Sequence, residues 1–172
     1  MKKNYKKLIL LFGVALVVGL AFRAFGLADD GYELRLGLDN KIIQKEDQVL
    51  PSERKIAYFK LDETKMGPWD FMRLSKEAES LTIKEIEEKL GQKASISENS
   101  KLFFDGKLYD KMTSAMYEKN KDQVREKVSI KNLEEGTYLL KVLGGDKNPG
   151  KSIVEYIGKE ASENNIVELD LK

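Results

Sequence analysis

The 172-residue chain carries 30 basic and 29 acidic side chains, and it has neither cysteine nor histidine. That composition excludes disulfides, thiolate metal sites, cysteine nucleophiles and histidine bases, so an exported form must be held by core burial or by another kind of crosslink. The first 28 residues hold five of the basic residues and none of the acidic ones; the 25 basic and 29 acidic residues that remain give no clustered positive footprint for nucleic acid.

Lys2, Lys3, Lys6 and Lys7 precede an apolar run from Leu8 to Phe22, closed by Arg23, which is the layout of a signal peptide. The run is shorter than the roughly 20 residues of a spanning helix, and Gly26 and Ala28 supply the small residues a signal peptidase reads, so cleavage after Ala28 is expected. The second reading is an uncleaved membrane anchor over residues 8–27, with Arg23 reaching the headgroups. Either way residues 1–28 form a signal peptide or N-terminal anchor, an apolar helix, and residues 29–172 form one extracellular or cell-surface domain. No cysteine near the junction is available for a lipid. Cysteine-free export of this kind is common in Gram-positive bacteria.

Further along, Tyr32, Leu34, Leu36 and Leu38 alternate as one face of a strand. Lys55–Leu61 (KIAYFKL) is a second strand, rich in aromatic and branched residues. Residues 64–80, with Gly67, Pro68 and Trp69, read as a loop anchored by a buried tryptophan. A helix begins at Thr82, with Glu85 completing a capping box, Leu81 stapled on Ile86, and Gly91 as its stop. Asp105 and Gly106 in FFDGKLY form a tight hairpin turn. A weaker helix is expected from about Tyr109 to Lys119, with Tyr109, Met112 and Met116 as a core stripe. Val128 and Ile130, Thr137–Leu143, Ser152–Ile157, and Val167, Leu169 and Leu171 complete the strands. Strand residues dominate, which predicts a mainly β fold, a β-sandwich with one or two short helical insertions.

The segment order, an aromatic strand ending in lysine, the helix LTIKEIEEKLG, then VSIKNLEEGTYLLKV and NNIVELDLK, resembles the Cna-B-like, prealbumin-type domains of Gram-positive pilin and surface adhesin subunits. The resemblance covers roughly residues 30–172 and is strongest over Ile130–Val142, where Gly136 frees a turn and Leu133 and Tyr138 enter the core. It implies an Ig-like or prealbumin-type sandwich, a non-enzymatic structural or adhesive role, and other surface or pilus proteins as partners. It also implies an internal isopeptide bond between an early-strand lysine and a late Asn or Asp, assisted by a buried acid. Here the acid's position is held by Val142, and Arg35 stands near the expected lysine. The one combination left is Lys60 with Asn164 or Asn165, with its acid unassigned. The chain also shows no LPXTG-type sorting signal ahead of Lys172, which disfavours an ordinary shaft subunit.

Two other classes compete. A small-ligand or carbohydrate-binding sandwich would use Trp69, Phe103, Phe104 and Tyr109, which core packing explains as well. An enzyme would rest on Asp62, Glu63 and Asp70, whose spacing singles out no catalytic pair. Asp105, or Asp146 with Asn148, lacks the ligand spacing of an EF-hand. No catalytic residue, cofactor or metal is assigned.

Overall fold

The computed structural model describes residues 31–144, 150–159 and 164–171. The expectations for residues 1–28, and for Asp146 and Asn148, lie outside them. Along the described residues run β1 (Tyr32–Leu38), β2 (Ile43–Lys45), β3 (Gln48–Leu50), β4 (Lys55–Lys60), α1 (Pro68–Ser80) and α2 (Ile83–Leu90). Then come β5 (Ser95–Ile96), β6 (Lys101–Phe104), β7 (Lys107–Tyr109), β8 (Met112–Thr113), α3 (Ser114–Asn120), β9 (Arg125–Leu133), β10 (Gly136–Leu143), β11 (Ser152–Ile157) and β12 (Ile166–Leu171). The chain is mainly β, as its alternation predicts.

One sheet has the order β12-β1-β9-β6-β7 and a second the order β11-β10-β4-β5. Their facing sides share one core: Leu34, Leu36, Val128, Ile130 and Val167 from the first sheet meet Ile56, Tyr138, Leu140, Val142 and Ile157 from the second. These are the inward residues of each pleat, and at roughly 1.5–3 kcal/mol per fully buried aliphatic side chain their burial is the main stabilising force. The pairs β4/β10 and β1/β9 are antiparallel, whereas β1 and β12 run parallel. β2, β3 and β8 make a small third sheet, which the sequence reading did not anticipate.

β4 and β10 are buried on both faces, which is why KIAYFKL and TYLLKVL read as continuous apolar runs. Their outward residues, Ala57, Phe59 and Leu139, pack beneath Leu74 and Ala78 of α1 and Ile86 of α2. α2 begins and ends as the sequence predicts. Thr82 Oγ1 accepts from the Glu85 amide at 3.3 Å, the Glu85 carboxylate accepts from the Thr82 amide at 2.7 Å, and Gly91 stops the helix at φ 65°.

α1 corrects the reading of residues 64–80 as a loop. Gly67 is its N-cap, Pro68 occupies the first turn, and Asp70 accepts from the Gly67 amide at 3.0 Å. A proline there is a start signal, because its missing N–H is one that the helix leaves unbonded anyway. Trp69 is corrected with it. Leu74 and Ala78 are the buried residues of α1 and fix the inward face, so Trp69 points away and is 81% exposed.

The helix expected over 109–119 is shorter. Tyr109 ends β7, Met112 lies in β8, and α3 starts after Thr113, whose hydroxyl accepts from the Met116 amide at 3.2 Å. The core stripe itself holds: Met112 is buried with Val49, Leu102 and Val124, and Tyr109 and Met116 pack against them. The β6/β7 hairpin turns through Asp105 and Gly106 at φ 48° and 73°, both left-handed as a tight two-residue turn requires.

Candidate binding seam between the sheets

β9 is paired with β1 along its length, but β6 covers its other edge only opposite Arg125, Glu126 and Lys127. From Ser129 onward that edge has no neighbour in its sheet among the described residues. In the facing sheet, β5 is two residues long and pairs only with Ala57 and Tyr58. The two short partners leave a seam at this side of the sandwich.

Two clefts lie along it. The first, about 300 Å³, is bounded by Tyr58, Ile96, residues 97–99, Lys101 and Leu108 on one side and by Ser129, Ile130 and Lys131 of β9 on the other. The second, about 310 Å³, continues past Lys60, Gln92 and Lys93 to Asn132, Glu134 and Tyr138. Tyr58 and Lys131 border both. The floor is aromatic: the Tyr58 and Tyr138 rings are tilted at 53° with centroids 6.5 Å apart. Burial, and then the Glu134 charge, push the Tyr138 hydroxyl up to about 12, so it stays a donor, to the Glu134 carbonyl at 2.9 Å. Ile96, 47% exposed, gives the wall an apolar lip.

A buried ion pair holds this wall in place. Arg54 donates to Glu126 at 2.7 Å, with Arg54 3% and Glu126 0% exposed. Glu126 also accepts from Ser100 Oγ at 2.6 Å and Ser52 Oγ at 2.7 Å, and Arg54 reaches Asp39 at 2.7 Å. Ser100 and Ser97 then clamp the 97–100 segment to β4: the Arg54 amide donates to Ser100 Oγ at 3.0 Å and the Ile56 amide to Ser97 Oγ at 2.8 Å. Burial drives the Glu126 carboxyl up, but the bonds from Arg54, Ser100 and Ser52 outweigh it and hold the group below its ordinary value. None of these residues was singled out from sequence. The available signal was parity, since Glu126 shares the inward phase of Val128 and Ile130.

Lys60 ends β4, its side chain lies against Gly136, and its Nζ is 2.6 Å from Glu134. Asn164 and Asn165 form the turn into β12 at φ 53° and 61°, and the Asn165 carbonyl accepts from the Glu33 amide at 2.8 Å. The two asparagines thus lead into the edge strand of the first sheet, beside β1, whereas Lys60 ends a strand of the second.

Asp62 is engaged by Lys65 at 2.8 Å and by both donors of Thr64, and these bonds hold its carboxyl at about 2. Glu63 accepts from the Thr137 amide and hydroxyl at 2.8 and 2.7 Å, and Asp70 accepts from the amide of Gly67, the N-cap of α1. The three acids therefore fix a loop and a helix start.

Phe103 lies under Lys127, whose Nζ is 4.1 Å from the ring centroid, while Phe104 and Tyr109 pack on the third core cluster and Trp69 is exposed on α1. The four aromatics thus share no site. Asp105 sits in the β6/β7 turn, and among the described residues no group of three acids gathers as a metal would need. No helix among them is long and apolar enough to cross a membrane.

Comparison with known proteins leaves the seam to be read on its own geometry: no family model, curated protein or solved structure matches the chain.

Proposed function

We propose that this chain is a non-enzymatic, exported surface module of the prealbumin-type sandwich class, pilin-like in build, which engages an extended segment of another surface protein along the seam. The observation that carries the reading is the β9 edge at Ser129–Lys131, without a strand neighbour among the described residues and opening onto a cleft with an aromatic floor. An edge of this kind offers main-chain hydrogen bonds to an added strand, and the flanking clefts accept its alternate side chains. The lysines of the rim are largely answered within the chain, Lys60 by Glu134, Lys93 by Glu87 and Lys101 by Asp110, so the edge and its clefts, rather than net charge, support the fit of an extended segment.

A second reading, a small ligand such as a carbohydrate, draws on the size of the first cleft, which lies at the lower limit of small-molecule sites. The chain's lack of cysteine supplies the test. Ser129→Cys gives a unique thiol, and a membrane-impermeant maleimide crosslinker applied to intact host cells should join it to a second surface protein. Absence of labelling on intact cells would overturn the surface assignment. Labelling without any adduct would favour the small-ligand reading.

A further inference from the structure

The path of residues 97–100 explains why the β9 edge lacks a neighbour beyond Lys127 among the described residues. β6 lies antiparallel to β9 and begins at Lys101, opposite Lys127. Continued backwards in the same register, Ser100 to Ser97 would have covered Val128 to Lys131. They turn away instead: the Ser100 amide donates to the Arg54 carbonyl at 2.6 Å and the Ser97 amide to the Ile56 carbonyl at 2.9 Å, so their backbone bonds to the facing sheet. A strand added to β9 here takes the line that β6 leaves.

The opening is bounded at both ends. At one, Lys101 already sits opposite Lys127. At the other, the step from the Leu34–Ile130 pair to the Tyr32–Leu133 pair sets two residues of β1 against three of β9, and Asn132 takes φ 58°. A bulge of this kind bends the strand and ends its regular edge. Ser129, Ile130 and Lys131 are left, enough for a short segment and not for a full-length strand.

Parity then assigns the side chains of that segment. Ile130 points into the core between the sheets, and a residue opposite it points to the same side. There the first cleft presents Tyr58, half-buried, and the half-exposed Ile96. Tyr138, the ring that Tyr58 already meets, borders the second cleft, so an incoming ring would meet Tyr58 from the first. Residues opposite Ser129 and Lys131 point to the outer face, which Lys101 shares by its pairing with Lys127.

We propose that the seam recognises a short extended motif with a single anchor: one large apolar side chain, aromatic by preference, seated opposite Ile130 between polar neighbours, in a segment antiparallel to β9. This deepens the strand-addition reading and rests on it. The direction follows from β1 and β6, which both run antiparallel to β9, the stronger kind of pairing.

The probe is a random-peptide library panned on the full-length chain in mild detergent, with the best binders then made synthetically. They should share one large apolar or aromatic residue between polar ones and lose about tenfold or more in affinity when it becomes alanine. N-methylation should abolish binding at alternate residues only, those whose N–H faces β9. A nitroxide at the C-terminal end of the peptide should broaden the Lys101 amide resonance, and one at the N-terminal end should leave it sharp. Failure to select any binder, or binders indifferent to Ile96→Arg, would overturn the seam reading and the motif with it. Binders that need Ile96 and alternate N–H groups, but spread their affinity over several side chains, would overturn the single anchor and leave strand addition standing. Broadening from the N-terminal nitroxide would overturn the antiparallel direction.

Discussion

Arg54 and Glu126, 72 residues apart in the chain, meet at 2.7 Å in a part of the molecule that water does not reach. Removing Glu126 takes from Arg54 its buried partner and leaves it only the exposed Asp39. Glu126→Ala is expected to cost about 3–5 kcal/mol, whereas replacing both by apolar residues of similar volume should cost far less. Urea unfolding of the two variants checks this. The double variant should also loosen residues 97–100, seen as faster amide exchange at Ser97 and Ser100.

The same carboxylate sets an acid limit. Its folded-state pKa lies below the ordinary 4.5, so the unfolded chain takes up the proton first. The stabilisation is complete above the unfolded value and is lost as pH falls through the lower folded one. Glu126→Gln should therefore flatten the fall in stability below about pH 4.5, in part only, because Glu33 and Asp39 are lowered as well. Denaturation midpoints measured from pH 7 to pH 3 give the slope.

Lys141 is 3% exposed and gives its three donors to the carbonyls of Ala78, Glu79 and Gly150 at 2.6, 3.3 and 3.1 Å. It closes the C-terminal turn of α1, where a cation also suits the helix dipole. Lys141→Met keeps the stem and strips the donors; a loss of about 1–3 kcal/mol is expected, with the last turn of α1 exchanging first.

Ile96→Arg tests the seam without touching the core. The residue is half-exposed, so stability should stay within about 0.5 kcal/mol, while the surface adduct formed through Ser129→Cys should disappear. An adduct that survives would move the binding surface elsewhere.

Lys60 is held by Glu134, and Asn164 and Asn165 lie in the turn that leads into β12 of the other sheet. The intact mass is expected to match the sequence after any cleavage. A deficit of about 17 Da, one ammonia, that Lys60→Arg abolishes would restore the isopeptide bond.

The strands and α2 were legible because each rests on local signals: alternation in YELRLGL, a capping box at Thr82 and Glu85, a left-handed glycine at position 91. α1 was not, because Gly67 and Pro68 punctuate loops and helix starts alike. Only the spacing of Phe71, Leu74 and Ala78 decides between them. The seam was illegible for a different reason. It consists of what β6 and β5 fail to cover, and no residue encodes the length of its neighbour's strand. Even so, Glu126 on the apolar phase of β9 marked a buried charge in need of a partner.

The parallel pairing of β1 with β12 has a mechanical meaning. Six residue pairs, Glu33–Ile166 through Leu38–Leu171, link the first described strand to the last. A pull on Tyr32 opposed by a pull on Leu171 runs along both strands in opposite senses, so the rungs are strained together rather than opened one at a time. A domain tethered at one end of this pair and drawn from the other would resist by shear, the sturdier way for a sheet to carry load.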